Sequence, residues 1–186
     1  MAASIRYVNV AATGLFRWLA DPADCPERRL LAELLAGDPR QPLDLEALAR
    51  ATGDTLAATG RLLFALNREL ALEISTTPPA LPAEPGLGDG LKQALLTLAA
   101  EGAAIVLAGD DGLLIAQAGT TAEIAEQIAA GQDSTHAFRQ ITTLHFPPNA
   151  LVIRAAGELD LRHQAWVSIA RQVQKSIAML TQGETV

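Results

Sequence analysis

Residues 103 to 119 read AAIVLAGDDGLLIAQAG, two short apolar runs separated by Asp110, Asp111 and Gly112. Three readings compete for the middle: a phosphate cradle, a catalytic acid pair, or the bend between two strands. A phosphate-binding turn leads from a strand straight into a helix N-terminus, so that amides and the helix dipole converge on the anion. Here another run of strand length, Leu113–Ala118, follows the glycine. A catalytic carboxylate pair needs burial or a neighbour that separates the two pKa values, and adjacent residues at an exposed turn have neither. Asp and Gly are instead the residues that hairpin loops demand, so the segment predicts a β-hairpin with no chemistry at its tip.

Working outward, Leu91, Ala94, Leu95 and Leu98 mark the apolar face of a helix before the hairpin. After it, Thr120-Thr121-Ala122-Glu123 reads as a capping box, Thr120 accepting from the amide of Glu123, and predicts a helix to Gly131 with Ile124 and Ile128 inward. Alternation over Ile141–Phe146 and the run Ala150–Ala155 predict two strands, joined by a turn at Pro147-Pro148-Asn149. The final helix is marked by Trp166, Ile169, Ala170, Val173, Ile177 and Leu180, at spacings of three and four.

Upstream, TTPPALPAEPGLGDG over residues 76–90 concentrates proline and glycine beyond what a helix or central strand tolerates. It is expected to link a first unit at 1–75 to a second at 91–181, and its Gly86-Leu87-Gly88-Asp89-Gly90 lacks the preceding strand of a phosphate loop. The first unit shows four helical runs. One covers Val10 to Ala20; a second opens at Pro26 and stops at Gly37; a third is capped by Asp44 and ends at Gly53. The fourth starts near Asp54 or Thr55, with Leu56, Gly60, Leu63, Phe64 and Leu70 expected on its buried face. Leu72, Glu73 and Ile74 then make a scrap of strand. Helix, glycine turn, longer helix, strand is the order of a helix-turn-helix with a vestigial wing.

Composition narrows the function classes. With 49% apolar and 19% charged residues, the chain of 186 residues has ample material for a core and no disordered character. Aromatics at 4% argue against base-stacking platforms, and the net charge of −7 opposes nonspecific attraction to phosphate backbones or anionic lipid. Residues 1–75 hold 8 basic against 10 acidic side chains and residues 76–186 hold 6 against 11, so neither part is basic. No apolar stretch approaches the roughly 20 residues of a bilayer span. The start MAASIRYVNV is unlike a signal peptide, and the single Cys25 has no internal disulfide partner; a cytoplasmic protein is expected.

Candidate chemistry is sparse. His136, His145 and His163 fall on three different elements without metal-motif spacing, and Cys25 has no base nearby in sequence. No serine sits in a nucleophile elbow, so no catalytic residue, cofactor or metal is expected. A DNA-reading helix presents Arg, Lys, Asn or Gln to base edges. In DTLAATGR (54–61) Arg61 is the one strong donor, with Thr55 and Thr59 as weaker contacts and Asp54 repelling phosphate. The charge deficit sets nucleic acid behind protein as a partner.

Read together, the second unit resembles the roadblock family of profilin-like domains. The resemblance runs from about Leu91 to Leu180 and is carried by Glu101-Gly102-Ala103 entering the first strand, Asp111-Gly112-Leu113 opening the second, and the amphipathic helix from Thr121. Family members usually have three strands between the second and third helices, whereas Ile141–Ala155 has room for two. The expected fold is α+β: a helical, winged-helix-like unit followed by a roadblock-like antiparallel sheet with flanking helices. The resemblance implies a noncatalytic protein that pairs with itself and acts as an adaptor or a platform for a small Ras-like GTPase. It would place Ile124 and Ile128 against the core or a dimer partner, and Leu144 and Phe146 on or near the strand that pairs. The alternative is a transcription regulator using Thr55, Thr59 and Arg61 on DNA, with the second unit dimerising or sensing.

Overall fold

Tyr7–Val10, rich in β-branched residues and alternating in burial, forms strand β1. Its partner is 65 residues further along: β1 pairs antiparallel with β2 (Leu72–Ser75), in register from Tyr7 against Ser75 to Val10 against Leu72. Helix formation therefore begins later than the apolar run from Val10 suggests. Helix α1 opens as an α-helical turn over Ala12–Gly14 and continues as a π-helical turn over Leu15–Leu19. The computed structural model describes residues 5–80, 87–99, 102–132, 137–146 and 149–183.

Local signals set the next three helices. Pro26 sits at the start of α2 (Pro26–Ala36), where its missing N–H costs nothing. Asp44 caps α3 (Leu45–Thr52) by accepting from the Ala47 amide at 2.9 Å, and Thr55 caps α4 (Leu56–Arg68) by accepting from Ala58 at 3.2 Å. The α3 and α4 pair, joined through Gly53 and Asp54, is followed by β2, whose pairing partner is the N-terminal β1.

Past the proline-rich segment, helix α5 spans Leu87–Ala99. The helix thus starts inside the stretch expected to be all linker, of which residues 81–86 lie outside the described residues. Strands β3 (Ala104–Gly109), β4 (Leu114–Ala118), β5 (Arg139–Phe146) and β6 (Asn149–Ala156) form one antiparallel sheet in the order β4-β3-β6-β5. Helix α6 (Ala122–Ala129) follows β4, and α7 (Ala165–Gly183) follows β6. Among the described residues two strands lie between α6 and α7. The Pro147-Pro148 part of the expected turn, and His136, fall outside the described residues. With 45% helix and 23% strand, and antiparallel pairing throughout, the fold is α+β.

The hairpin reading of the quoted stretch holds in the backbone. The Gly112 amide donates to the Gly109 carbonyl at 3.1 Å and the Gly109 amide to Leu113 at 2.9 Å. Gly112 takes the positive φ of 81° and Asp111 Oδ1 accepts from the Leu113 amide at 3.0 Å.

Alternation divides the sheet's side chains between two faces. Ile105, Leu107, Leu144, Phe146, Leu151 and Ile153 join the main core with α5 and α7, whereas Val106 and Ala108 pack under Ala125, Ile128 and Ala129 of α6. The main core is shared with the first unit: Val8, Leu15, Leu19, Leu30, Leu31 and Leu35 belong to the same continuous cluster. Trp166 of α7 is fully buried, meets Phe16 of α1 edge to face at 5.5 Å and donates from Nε1 to the Asp160 carbonyl at 3.0 Å. Polar contacts tie the same surfaces, Gln164 donating to the Val10 carbonyl at 3.2 Å and Arg171 to Asn9 Oδ1 at 3.4 Å.

Several side chains sit elsewhere than their apolar spacing suggests. Thr59, Leu63 and Leu66 face inward from α4, while Leu56, Phe64 and Leu70 are exposed; Leu70 lies beyond the helix end and escapes its periodicity altogether. The N-cap of α6 is Thr121, one residue later than the expected capping box, and its Oγ1 accepts from Ile124 at 3.4 Å. That frame turns Ala125, Ile128 and Ala129 inward and Ile124 outward.

Arg154 anchors this helix from the sheet. Its guanidinium donates to the carbonyls of Ile128 and Ala129 at 2.7 and 2.9 Å, placing a cation on the negative end of α6. Arg154→Met keeps the packing of the aliphatic stem and removes two charge-assisted bonds. A loss of about 1.5–3 kcal/mol in urea unfolding is expected, with faster amide exchange over Ala125–Ala129 than in the parent. An unchanged stability and exchange rate would mean that water replaces the arginine at no cost.

Candidate functional site

A mostly apolar concavity lies between β1, the end of α2, the 37–44 loop and α3. It encloses about 240 Å³ over an apolar floor of Val8, Leu34, Leu43 and Leu48, with Glu33, Asp38 and Asp44 at its wall. Two of those carboxylates are already committed to local structure. Asp44 caps α3, and Asp38 Oδ1 accepts from the Arg40 amide at 3.0 Å and from Arg40 Nε at 3.1 Å. The backbone bond from Arg40, then its side-chain bond, hold the Asp38 carboxyl below its ordinary 3.8, with Arg40 and Lys175 adding their positive charge. A carboxylate held ionised in this way suits neither proton donation nor a shared-proton pair.

The other candidate residues that are described lie on separate elements. Cys25 sits at the N-cap of α2, His145 is half-buried on β5, and His163 Nδ1 accepts from the Ala165 amide at 3.1 Å where α7 begins. Among the described residues no three His, Cys, Asp or Glu side chains gather as metal ligands.

Two apolar surfaces are more distinctive. The first is on α4. Ala57, Arg61, Phe64 and Arg68, spaced four, three and four residues apart, form one exposed stripe, since such spacings return to the same helix face. Phe64 at its middle is 64% exposed, Leu56 at the helix start 48%, and Leu70 just past the end 73%. Leu70 is also the one non-glycine residue with positive φ, at 57°, among the described residues. It occupies the left-handed position of a Schellman cap: the Ala71 amide donates to Leu66 at 2.9 Å and the Leu70 amide to Asn67 at 3.1 Å. Glycine is the residue such a position favours, so a leucine there gives up stability and gains only an exposed apolar group.

That cost is measurable. Leu70→Gly relieves about 1–2 kcal/mol of left-handed strain and returns about 0.5–1 kcal/mol as unfolded-chain entropy. The variant is therefore expected to be about 0.5–1 kcal/mol more stable, read as a higher urea midpoint with unchanged slope. A lower midpoint would show that the leucine side chain packs usefully where it lies.

The second surface is beside β4. This strand is one edge of its sheet, with α5 against one face and α6 against the other. Leu113, Ile115 and Ile124 are all exposed there, on the turn, the edge strand and α6. At the opposite edge β5 lies against the π-helical turn of α1, and Leu144 and Phe146 are buried in the shared core, 0% and 2% exposed. Both residues thus lie on an edge strand, with their side chains turned into the core. Of the residues considered for DNA, Arg61 is exposed and Thr55 is spent on capping. Thr59 is fully buried, its hydroxyl donating to the Thr55 carbonyl at 3.1 Å, and cannot reach a duplex.

No protein-family model, curated protein or solved structure matches the chain. No helix among the described residues is long and apolar enough to cross a membrane.

Proposed function

We propose that this protein is a noncatalytic cytoplasmic adaptor that acts by protein contact, a winged-helix-like unit packed on a roadblock-like one. It pairs with itself and offers a platform to a further partner such as a small Ras-like GTPase or an assembly component. The observation that carries the reading is that, among the described residues, six of the nine exposed large apolar side chains fall on the α4 and β4–α6 segments, Ile5, Leu96 and Leu161 lying elsewhere, since scattered single residues need no explanation but grouped ones mark contact sites. The roadblock-like reading is supported by the sheet order β4-β3-β6-β5 with α5 and α7 on one face and α6 on the other. Because β5 lies against α1 while Ile115 and Ile124 are exposed, self-pairing is assigned to the β4–α6 side, through those two residues. Sedimentation at micromolar concentration should give a dimer that Ile115→Asp with Ile124→Asp converts to monomer. A wild-type chain that stays monomeric would remove the self-pairing platform.

One observation favours a second reading. The α3–α4 pair has helix-turn-helix order, and Leu56–Arg68 carries Arg61 and Arg68 and no acidic residue. A transcription regulator would show steeply salt-dependent duplex binding that is lost in Arg61→Ala.

A further inference from the structure

We infer that the outer face of α4 is a docking site for an acidic amphipathic segment of a partner protein, an assignment that rests on the adaptor reading and gives it a surface and a partner chemistry. Three features combine on this face. Phe64 stands in the solvent between Arg61 and Arg68, seven residues and so about 10 Å apart along the axis. Leu56, about a quarter-turn round the helix from Phe64, and Leu70, just past the helix end, add exposed apolar groups near either end, and the Leu70 side chain is presented by a backbone conformation that leucine disfavours. The charge is opposite in sign to that of the chain as a whole: net −7 overall, yet two cations and no anion along Leu56–Arg68. The acids that flank the helix are Asp54, two residues before Leu56 and at the end away from Arg68, and Glu69, which is matched by Arg17 at 3.1 Å.

These features select one occupant. Aromatic and arginine side chains are the residues that anchor protein interfaces, and a partner helix with apolar positions at three and four spacings can cover Leu56, Phe64 and Leu70 while its carboxylates meet Arg61 and Arg68. A duplex fits less well. It would set three large apolar groups against hydrated phosphates, and two arginines supply few of the cation contacts that drive nucleic-acid binding.

The test uses the full chain and a synthetic peptide about 18 residues long, with leucines at helical three and four spacing and glutamates on its other face. A scrambled peptide of the same composition and a short DNA duplex serve as comparisons. Titration followed by amide resonances is expected to show saturable binding of the amphipathic peptide, with shifts confined to Thr55–Ala71. Phe64→Ala, and Arg61→Glu with Arg68→Glu, should each weaken it about tenfold or more, while Leu161→Ala, at an exposed residue on neither surface, leaves it unchanged. Leu70→Gly should weaken it while raising the unfolding midpoint, which separates lost contact from lost fold. Equal binding of the scrambled peptide, shifts centred on another surface, or tighter binding of the duplex than of the peptide would each overturn the assignment. A chain that dimerises but ignores the peptide keeps the adaptor reading and loses this surface; a chain that does neither loses both.

Discussion

Trp166→Ala is expected to lower the unfolding free energy by about 3–5 kcal/mol, which for a domain of ordinary stability is roughly a fifth or more of the total. The indole is fully buried, so truncation removes a large apolar area and leaves a cavity whose walls belong to different parts of the chain. It also abandons the Asp160 carbonyl and the edge-to-face contact with Phe16. Because Phe16 comes from α1 and Trp166 from α7, the loss is expected to appear in the first unit too. The chain has two tryptophans, so Trp18 becomes the sole indole reporter in the variant. Its fluorescence and far-ultraviolet ellipticity should shift together to a lower urea midpoint. A Trp18 transition that stays at the parent midpoint would show that the first unit unfolds on its own.

Gly119→Ala is expected to cost about 2–5 kcal/mol, the sum of two separable penalties. Gly119 has φ of +75°, which an alanine adopts at about 1–2 kcal/mol. A Cβ there would also stand 2.6 Å from the Ala103 carbonyl oxygen and 2.9 Å from the Ala104 Cα, backbone atoms at the start of β3 with no flexible end to yield. Gly112→Ala separates the terms: its φ is similar at +81°, but the added carbon would meet the Ala129 carbonyl at an ordinary 3.5 Å. Parallel urea titrations should therefore find Gly112→Ala the milder of the two. Equal losses would mean that β3 moves aside at no cost.

What could be read from sequence was what is decided within a few residues. Pro26, Asp44 and Thr55 mark helix starts because a cap acts on amides one turn away, and Asp110-Asp111-Gly112 reads as a bend for the same reason. Strand β1 was hidden because its partner β2 is 65 residues distant and nothing local in Tyr7–Val10 names it. The exposure of the apolar side chains on α4 is illegible for a different cause. Periodicity groups apolar residues but does not say that they are buried, and Leu56, Phe64 and Leu70 were counted as core when Thr59 and Leu66 fill that side. Arg61 is legible as a surface donor, yet the exposure of Phe64 on the same stripe is not. The burial of Leu144 and Phe146 depends on α1 packing across the sheet from the other side of the proline-rich segment, a contact that no local pattern encodes.

That this chain works by contact through the apolar surfaces its fold leaves open is tested most directly by amide hydrogen exchange at rising chain concentration. The account predicts slowing over Leu114–Ala118 and Ala122–Ala129 as self-pairing sets in, with the core strands β3 and β6 unchanged. Exchange that is independent of concentration at every amide, or slowing confined to β5, would contradict it.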